Sequence, residues 1–274
     1  MLEPPTRRQI RVRFAALARQ LGVMQPLDWL RYAYNRAANH SKNRAFAASH
    51  PDFPTPPPVL AYDAYSSVDW LHYYATGKQI AEKIGRMITD HLPSGQVRFL
   101  EWGCGPACVI RNIPSTLTAG SKIYGCDYNK KTIAWCRATF RDIQFEQNEL
   151  EPPLVFRDDQ FDCTCGMSVL THLSEARCKA WLEELTRVTC RGGIIILTTK
   201  GDSHAYRLLP EEQKRLKSGC AVVRDRIEEG KRMYDTILPE SYMRAILPTS
   251  LRILQHVPDG MPEYQQDLWI LRKQ

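Results

Sequence analysis

Phe99-Leu100-Glu101-Trp102-Gly103-Cys104-Gly105-Pro106-Ala107 is the stretch that decides how this 274-residue chain folds. An apolar run enters an acidic residue and then a Gly-x-Gly turn, as a buried parallel strand does where it opens into a ligand-facing loop. Gly103 and Gly105 have no Cβ, so the backbone there can take a positive φ and let a ligand lie against the main chain. A second acid, Asp127, ends the next strand-like run, Lys122-Ile123-Tyr124-Gly125-Cys126. It stands 22 residues beyond Gly105, where a strand-end carboxylate can accept hydrogen bonds from ribose hydroxyls.

Which adenosine cofactor this implies turns on three residues. A dinucleotide fingerprint needs a third glycine at the position of Cys108, so that a pyrophosphate can reach a helix N-terminus. Pro106 also stiffens the turn. Glu101 would repel a phosphate but can accept bonds from an ammonium group. The site therefore favours a cofactor with an amino-acid tail and no pyrophosphate, which describes S-adenosylmethionine.

With these residues, the chain from about Gly77 to Gln274 resembles a class I S-adenosylmethionine-dependent methyltransferase. Three further segments carry the likeness: Phe145-Glu146-Gln147-Asn148-Glu149-Leu150, the run from Phe161 to Leu173, and Arg191-Gly192-Gly193 before Ile194–Thr199. Ala107 and Asn148 depart from the family's usual glycine and aspartate, both mildly, since an Asn carbonyl still accepts from an amine. The resemblance implies cofactor contacts at Glu101, Gly103, Cys104, Gly105, Asp127, Tyr128, Asn148, Glu149, Leu150 and Ser168, with Asn148 meeting the adenine amino group and Leu150 packing on the ring. It adds Tyr74 and Lys78 from the helix before the first strand, Lys78 facing the cofactor carboxylate. Within the class, Trp102-Gly-Cys-Gly-Pro, Asp127-Tyr-Asn and Ser168-Val-Leu-Thr-His172 are similar to bacterial enzymes of glycan and secondary-metabolite pathways, which tend to have histidine where Lys200 stands. Their acceptors would be hydroxyls or amines of small molecules or glycans. Base candidates lie where loops leave the fourth and fifth strands: His172, Asp202 and His204.

The expected architecture is α/β: a Rossmann-like, seven-stranded, mostly parallel sheet with helices on both faces and a terminal antiparallel hairpin turning at Pro258-Asp259-Gly260. Strands are expected over 97–102, 122–127, 143–147, 161–167, 193–199, 250–257 and 266–272. Pro51-Asp52-Phe53-Pro54-Thr55-Pro56-Pro57-Pro58 reads as an extended linker. It divides an N-terminal helical extension, 1–58, read as two short helices, from a catalytic domain, 59–274. Segment 201–249 exceeds what a crossover needs and reads as a substrate cap, most of its charges forming a solvated helix face.

Residues 1–52 hold nine basic side chains (Arg7, Arg8, Arg11, Arg13, Arg19, Arg31, Arg36, Lys42, Arg44) against Glu3, Asp28 and Asp52, a net +6 of the chain's +7. Ile10, Phe14, Leu17 and Leu21 recur at helical spacing among them. Two readings follow: an amphipathic helix resting on an anionic membrane or other polyanion, or, as favoured here, a helix docked on the catalytic domain with a solvated basic face. No aromatic-rich basic motif suggests nucleic acid. Nine cysteines, an odd number, argue for reduced thiols in a cytoplasmic protein, and no apolar run suits a transmembrane helix. Cys104-x3-Cys108 and Cys163-x-Cys165 read as buried thiols rather than metal ligands, the second pair being expected on opposite faces of its strand. The competing functions are a nicotinamide-dependent reductase, disfavoured by Glu101 and the absent third glycine, and a non-catalytic cofactor-binding protein working through its extension.

Overall fold

The computed structural model describes residues 7–274, with side chains from residue 12 onward. The extension forms three helices rather than two: α1 (Arg7–Gln20), α2 (Met24–Ala38) and α3 (His40–Ser49). Gly22, with φ of +69°, turns the chain between α1 and α2, and Asn39 breaks α2 from α3. The Pro-rich linker runs extended from residue 53 to 57 and leads into α4 (Pro58–Tyr65), with Pro58 at the first helical position, where its missing N–H costs nothing. Then α5 (Trp70–His91) starts at Asp69, whose side chain accepts from the His72 N–H at 3.0 Å.

The strands that follow are β1 (Arg98–Trp102), β2 (Lys122–Asp127), β3 (Gln144–Gln147), β4 (Phe161–Gly166) and β5 (Thr189–Thr199). Between them lie α6 (Lys130–Thr139) and α7 (Glu175–Val188), capped by the side chains of Asn129 and Ser174. Segment 201–249 folds as α8 (Pro210–Lys217), a small antiparallel pair β6 (Val222–Arg224) and β7 (Asp235–Ile237), and α9 (Glu240–Ile246). The chain closes with β8 (Leu251–Met261) and β9 (Gln266–Lys273). The main sheet has seven strands in the order β3-β2-β1-β4-β5-β9-β8. Pairings from β3 to β5 are parallel, and β9 is antiparallel to both β5 and β8.

Three expectations need correction. Pro258-Asp259-Gly260 is not the hairpin turn: it lies within β8 at a break in register between Val257 and Met261, with Asp259 at φ of +50°. The hairpin therefore runs on to Glu263 and Tyr264 before it reverses. Cys163 and Cys165 do not face opposite ways, because side chains two apart on a strand share a face. Both pack in the core that lies under α5, with Phe99, Ile194 and Ile196. Finally, α1 does not dock by its apolar stripe. Phe14, Leu17 and Leu21 are exposed, and Arg19, on the other side of the helix, donates to the Met233 carbonyl at 3.1 Å. Ile10 of that stripe lies outside the described side chains.

Candidate active site

A cavity of about 430 Å³ opens over the carboxyl ends of β1, β2 and β4, where an open α/β sheet presents its crevice. Its floor is the opening motif. Gly103 and Gly105 take φ of +71° and +50°, and the N–H groups of Gly103 and Cys104 both donate to the Cys126 carbonyl, at 2.8 and 3.0 Å. A Cβ on Gly103 would lie 2.4 Å from Val169, so this turn requires glycine twice over. Asp127 fixes the loop from the next strand: its carboxylate accepts from the Gly105 N–H at 3.0 Å and from the Asn129 N–H at 2.8 Å.

Two buried acceptors in the cavity wall have no partner in the protein. One is Glu101 Oε2, on a side chain only 3 % exposed; the other is Asn148 Oδ1, whose amide nitrogen is already donated to the Glu149 carbonyl. Buried acceptors left unpaired are costly, so both are suited to donors brought by a ligand. Burial pushes Glu101 from an ordinary 4.5 up to about 8, against a backbone hydrogen bond from Ile110. Burial raises Asp127 to about 6, opposed by the two backbone donors.

Cys104, Tyr128, Glu149, Leu150, Ser168 and His172 also line the cavity. Ser168 is held at φ of +62° by the hydrogen bond from its N–H to Thr198 Oγ1. His172 Nδ1 lies 2.8 Å from the Tyr234 carbonyl, which can only accept, so Nδ1 carries the proton and Nε2 keeps a lone pair. Burial, with help from Lys200, lowers His172 to about 4. The imidazole is thus neutral near pH 7.

Four expected site residues lie elsewhere. Tyr74 packs among Phe46, His50 and Phe53, and Lys78 is exposed; the α5 side chain that does line the cavity at this level is Tyr73, which donates to the Pro106 carbonyl at 2.7 Å. Asp202 is exposed and accepts from the Glu240 N–H at 3.1 Å, as a cap for α9. His204 is buried beside a separate small recess formed with Ser203, Asp259 and Gln265. Both follow β5, but the chain there winds into a short 3-10 helix over 202–207 that carries them off the rim.

Other cavity residues were not among the expected contacts. Asp63 and Tyr65 come from α4, Arg232 from the β6–β7 loop, and Glu263 and Tyr264 from the tip of the long hairpin. Lys200 also lines the cavity, with its ammonium paired with Asp235 at 2.5 Å.

Residues 100–197 match the family described as methyltransferase domain. The chain carries a class I S-adenosylmethionine-dependent methyltransferase domain. The match begins within β1 and ends within β5, so it covers the strands that carry the cavity floor and leaves out the extension, α5 and the segment from 198 onward. It favours methyl transfer over the nicotinamide-dependent reductase. No curated protein matches the sequence. Among solved structures, the methyltransferase is similar to a protein of Pyrococcus horikoshii at 16% identity and a TM-score of 0.55, over 83% of this chain and 99% of that one. It is also similar to an amino pentose methyltransferase of Micromonospora echinaspora, solved with S-adenosylmethionine bound (13% identity, TM-score 0.55, 75% and 94% of the two chains). A third is the magnesium protoporphyrin IX methyltransferase of Synechocystis, solved with S-adenosylhomocysteine (13%, 0.52, 88% and 99%). At these identities the likeness establishes the fold.

Proposed function

We propose that this methyltransferase uses the cavity over β1, β2 and β4 to transfer a methyl group to a hydroxyl or amine of a small molecule or glycan. The observation that carries the reading is the pair of unpartnered buried acceptors, Glu101 Oε2 and Asn148 Oδ1, in a cavity that Asp127 and the Gly103–Gly105 turn shape. Their chemistry matches the two donors of S-adenosylmethionine, its ammonium and its adenine amino group. Asp127 retains lone pairs for ribose hydroxyls, and Leu150 offers an apolar surface for the adenine ring. When bound, the cofactor supplies an electrophilic methyl group on a sulfonium.

The chain's own residues then have three tasks. The first is to align an acceptor and keep water away. The loops carrying Val169, Leu173 and Tyr264 bound the cavity with apolar surface, and segment 201–249, through Gly230 and Arg232, supports the reading of that segment as a cap. The second is to hold the acceptor proton. His172 Nε2 is unprotonated at neutral pH and can accept a hydrogen bond from a hydroxyl or amine, orienting a lone pair. With a value near 4 it is a weak base, so it serves orientation more than full proton removal. The third is selection, for which Arg232 and Lys200 offer positive charge, each moderated by an acidic partner, Asp28 and Asp235.

Isothermal titration with S-adenosylmethionine and with NADH tests the cofactor, and release of S-adenosylhomocysteine in the presence of hydroxyl and amine acceptors tests the transfer. S-adenosylmethionine is expected to bind and NADH to give no heat; NADH binding alone would overturn the proposal. His172→Ala is expected to reduce turnover with cofactor affinity unchanged.

A further inference from the structure

α1 is built inside out. Its apolar stripe, Phe14 and Leu17 continued by Leu21 just past its end, is 50–66% exposed, while the side facing the protein is made by Ala18 and Arg19. The pattern continues in α2, which has no buried residue: Trp29, Leu30 and Tyr34 are 62–77% exposed. Among the described residues there are eleven exposed large hydrophobic side chains, and seven fall between Phe14 and Tyr34. Singly such residues are ordinary; gathered on two consecutive helices and the turn between them they mark a contact surface.

Charge decides what the surface contacts. Arg13, Arg31, Arg36, Lys42 and Arg44 are all exposed on these helices and on α3. The only acid between residues 12 and 50 is Asp28, which is ion-paired with Arg232. A second copy meeting the same face would bring like charges together. Nucleic acid would answer the arginines but gains little from Leu17, Leu21 and Leu30. An anionic bilayer answers both features, since its headgroups attract the basic side chains and its acyl boundary takes the apolar ones.

We infer that α1 and α2 form a docking surface for anionic lipid membranes. Two contacts tie the surface to the segment that walls the cavity: Arg19 donates to the Met233 carbonyl, and Asp28, beside Trp29, holds Arg232 in the cavity wall.

The test is sedimentation of the full chain with vesicles of phosphatidylcholine alone and with phosphatidylcholine–phosphatidylglycerol at about 2:1. Binding to the anionic vesicles, weakened by salt and absent with neutral ones, is expected. Leu17→Glu combined with Leu30→Glu should lower the partition by about tenfold or more, since both apolar burial and charge attraction are lost. Trp29→Phe should abolish a vesicle-induced blue shift of tryptophan emission. Unchanged S-adenosylmethionine affinity in both variants will show that the fold is intact. No binding to anionic vesicles at low salt overturns the inference. So does equal binding by the double variant, or a wild-type dimer in light scattering that the double variant loses, which would assign the surface to a second copy.

Discussion

At the scale of single residues, the cavity is defined by acceptors whose donors are missing from the protein. Glu101 and Asn148 each keep one buried oxygen unpaired, whereas Asp127 already serves two backbone N–H groups. Asp127 therefore has two roles, holding the turn and facing the ribose. Asp127→Ala should weaken S-adenosylmethionine binding by about 1–3 kcal/mol, the cost of removing a buried polar partner. Calorimetric affinity checks this, and an unchanged value would remove Asp127 from the ribose site. Lys78 offers the contrast. It is exposed and outside the cavity, so Lys78→Ala should change the affinity by less than about 0.5 kcal/mol. A loss as large as that of Asp127→Ala would return Lys78 to the cofactor carboxylate.

At the scale of elements, helix phase explains why Lys78 and Tyr74 lie off the cavity. The buried side of α5 carries Tyr73, Gly77, Ile80, Ala81 and Ile84, and each neighbour along the chain is rotated by about 100° from it. Sequence identified the right helix and the wrong face. Gly77 marks the face that matters, because a Cβ there would come 2.0 Å from the Cys108 carbonyl, just beyond the cofactor turn. Gly77→Ala should therefore push α5 off that turn, costing about 1–3 kcal/mol of stability and weakening cofactor binding with it. Denaturant midpoints and calorimetry would show both; a variant as stable as the parent would mean that α5 yields without strain. The strands were readable because their signals are local: apolar runs ending at Trp102, Asp127 and Gly166 are the observed β1, β2 and β4. The reach of the last hairpin was not. Pro258-Asp259-Gly260 has the composition of a turn, yet the Asp259 N–H donates to Asp267 at 3.0 Å and β8 continues past it. Glu263 and Tyr264 arrive in the cavity only because of that continuation, from more than 150 residues beyond Glu101 in the chain. Arg232 arrives likewise through a cap whose fold no short pattern announces.

At the scale of the whole molecule, the cavity's ionisable groups make stability depend on pH in windows that can be separated. His172 falls from an ordinary 6.5 to about 4, so the stability it withholds under acid is lost as pH drops from 6.5 towards 4. Asp127 rises from 3.8 to about 6 and finishes its change by then. The cavity thiols Cys104 and Cys108 are pushed up from 9.0 and act only in alkali. Between pH 6.5 and 8 the group left titrating is Glu101, raised from 4.5 to about 8. The sign follows from proton counts: the folded protein keeps a proton that the unfolded chain has already released. Stability from this group is full below pH 4.5 and declines as pH rises through the window, by up to about 1.4 kcal/mol per pH unit. Across the window that amounts to about 2 kcal/mol, or a fall in Tm of about 4 °C or more. The ammonium of S-adenosylmethionine favours the ionised carboxylate, so saturation with the cofactor should flatten the decline and affinity should rise with pH up to about 8. Glu101→Gln should abolish the slope in the free protein and the pH dependence of binding together. Thermal scans from pH 6.5 to 8, with and without cofactor, measure both, and a slope that survives in Glu101→Gln would show that another group holds the proton.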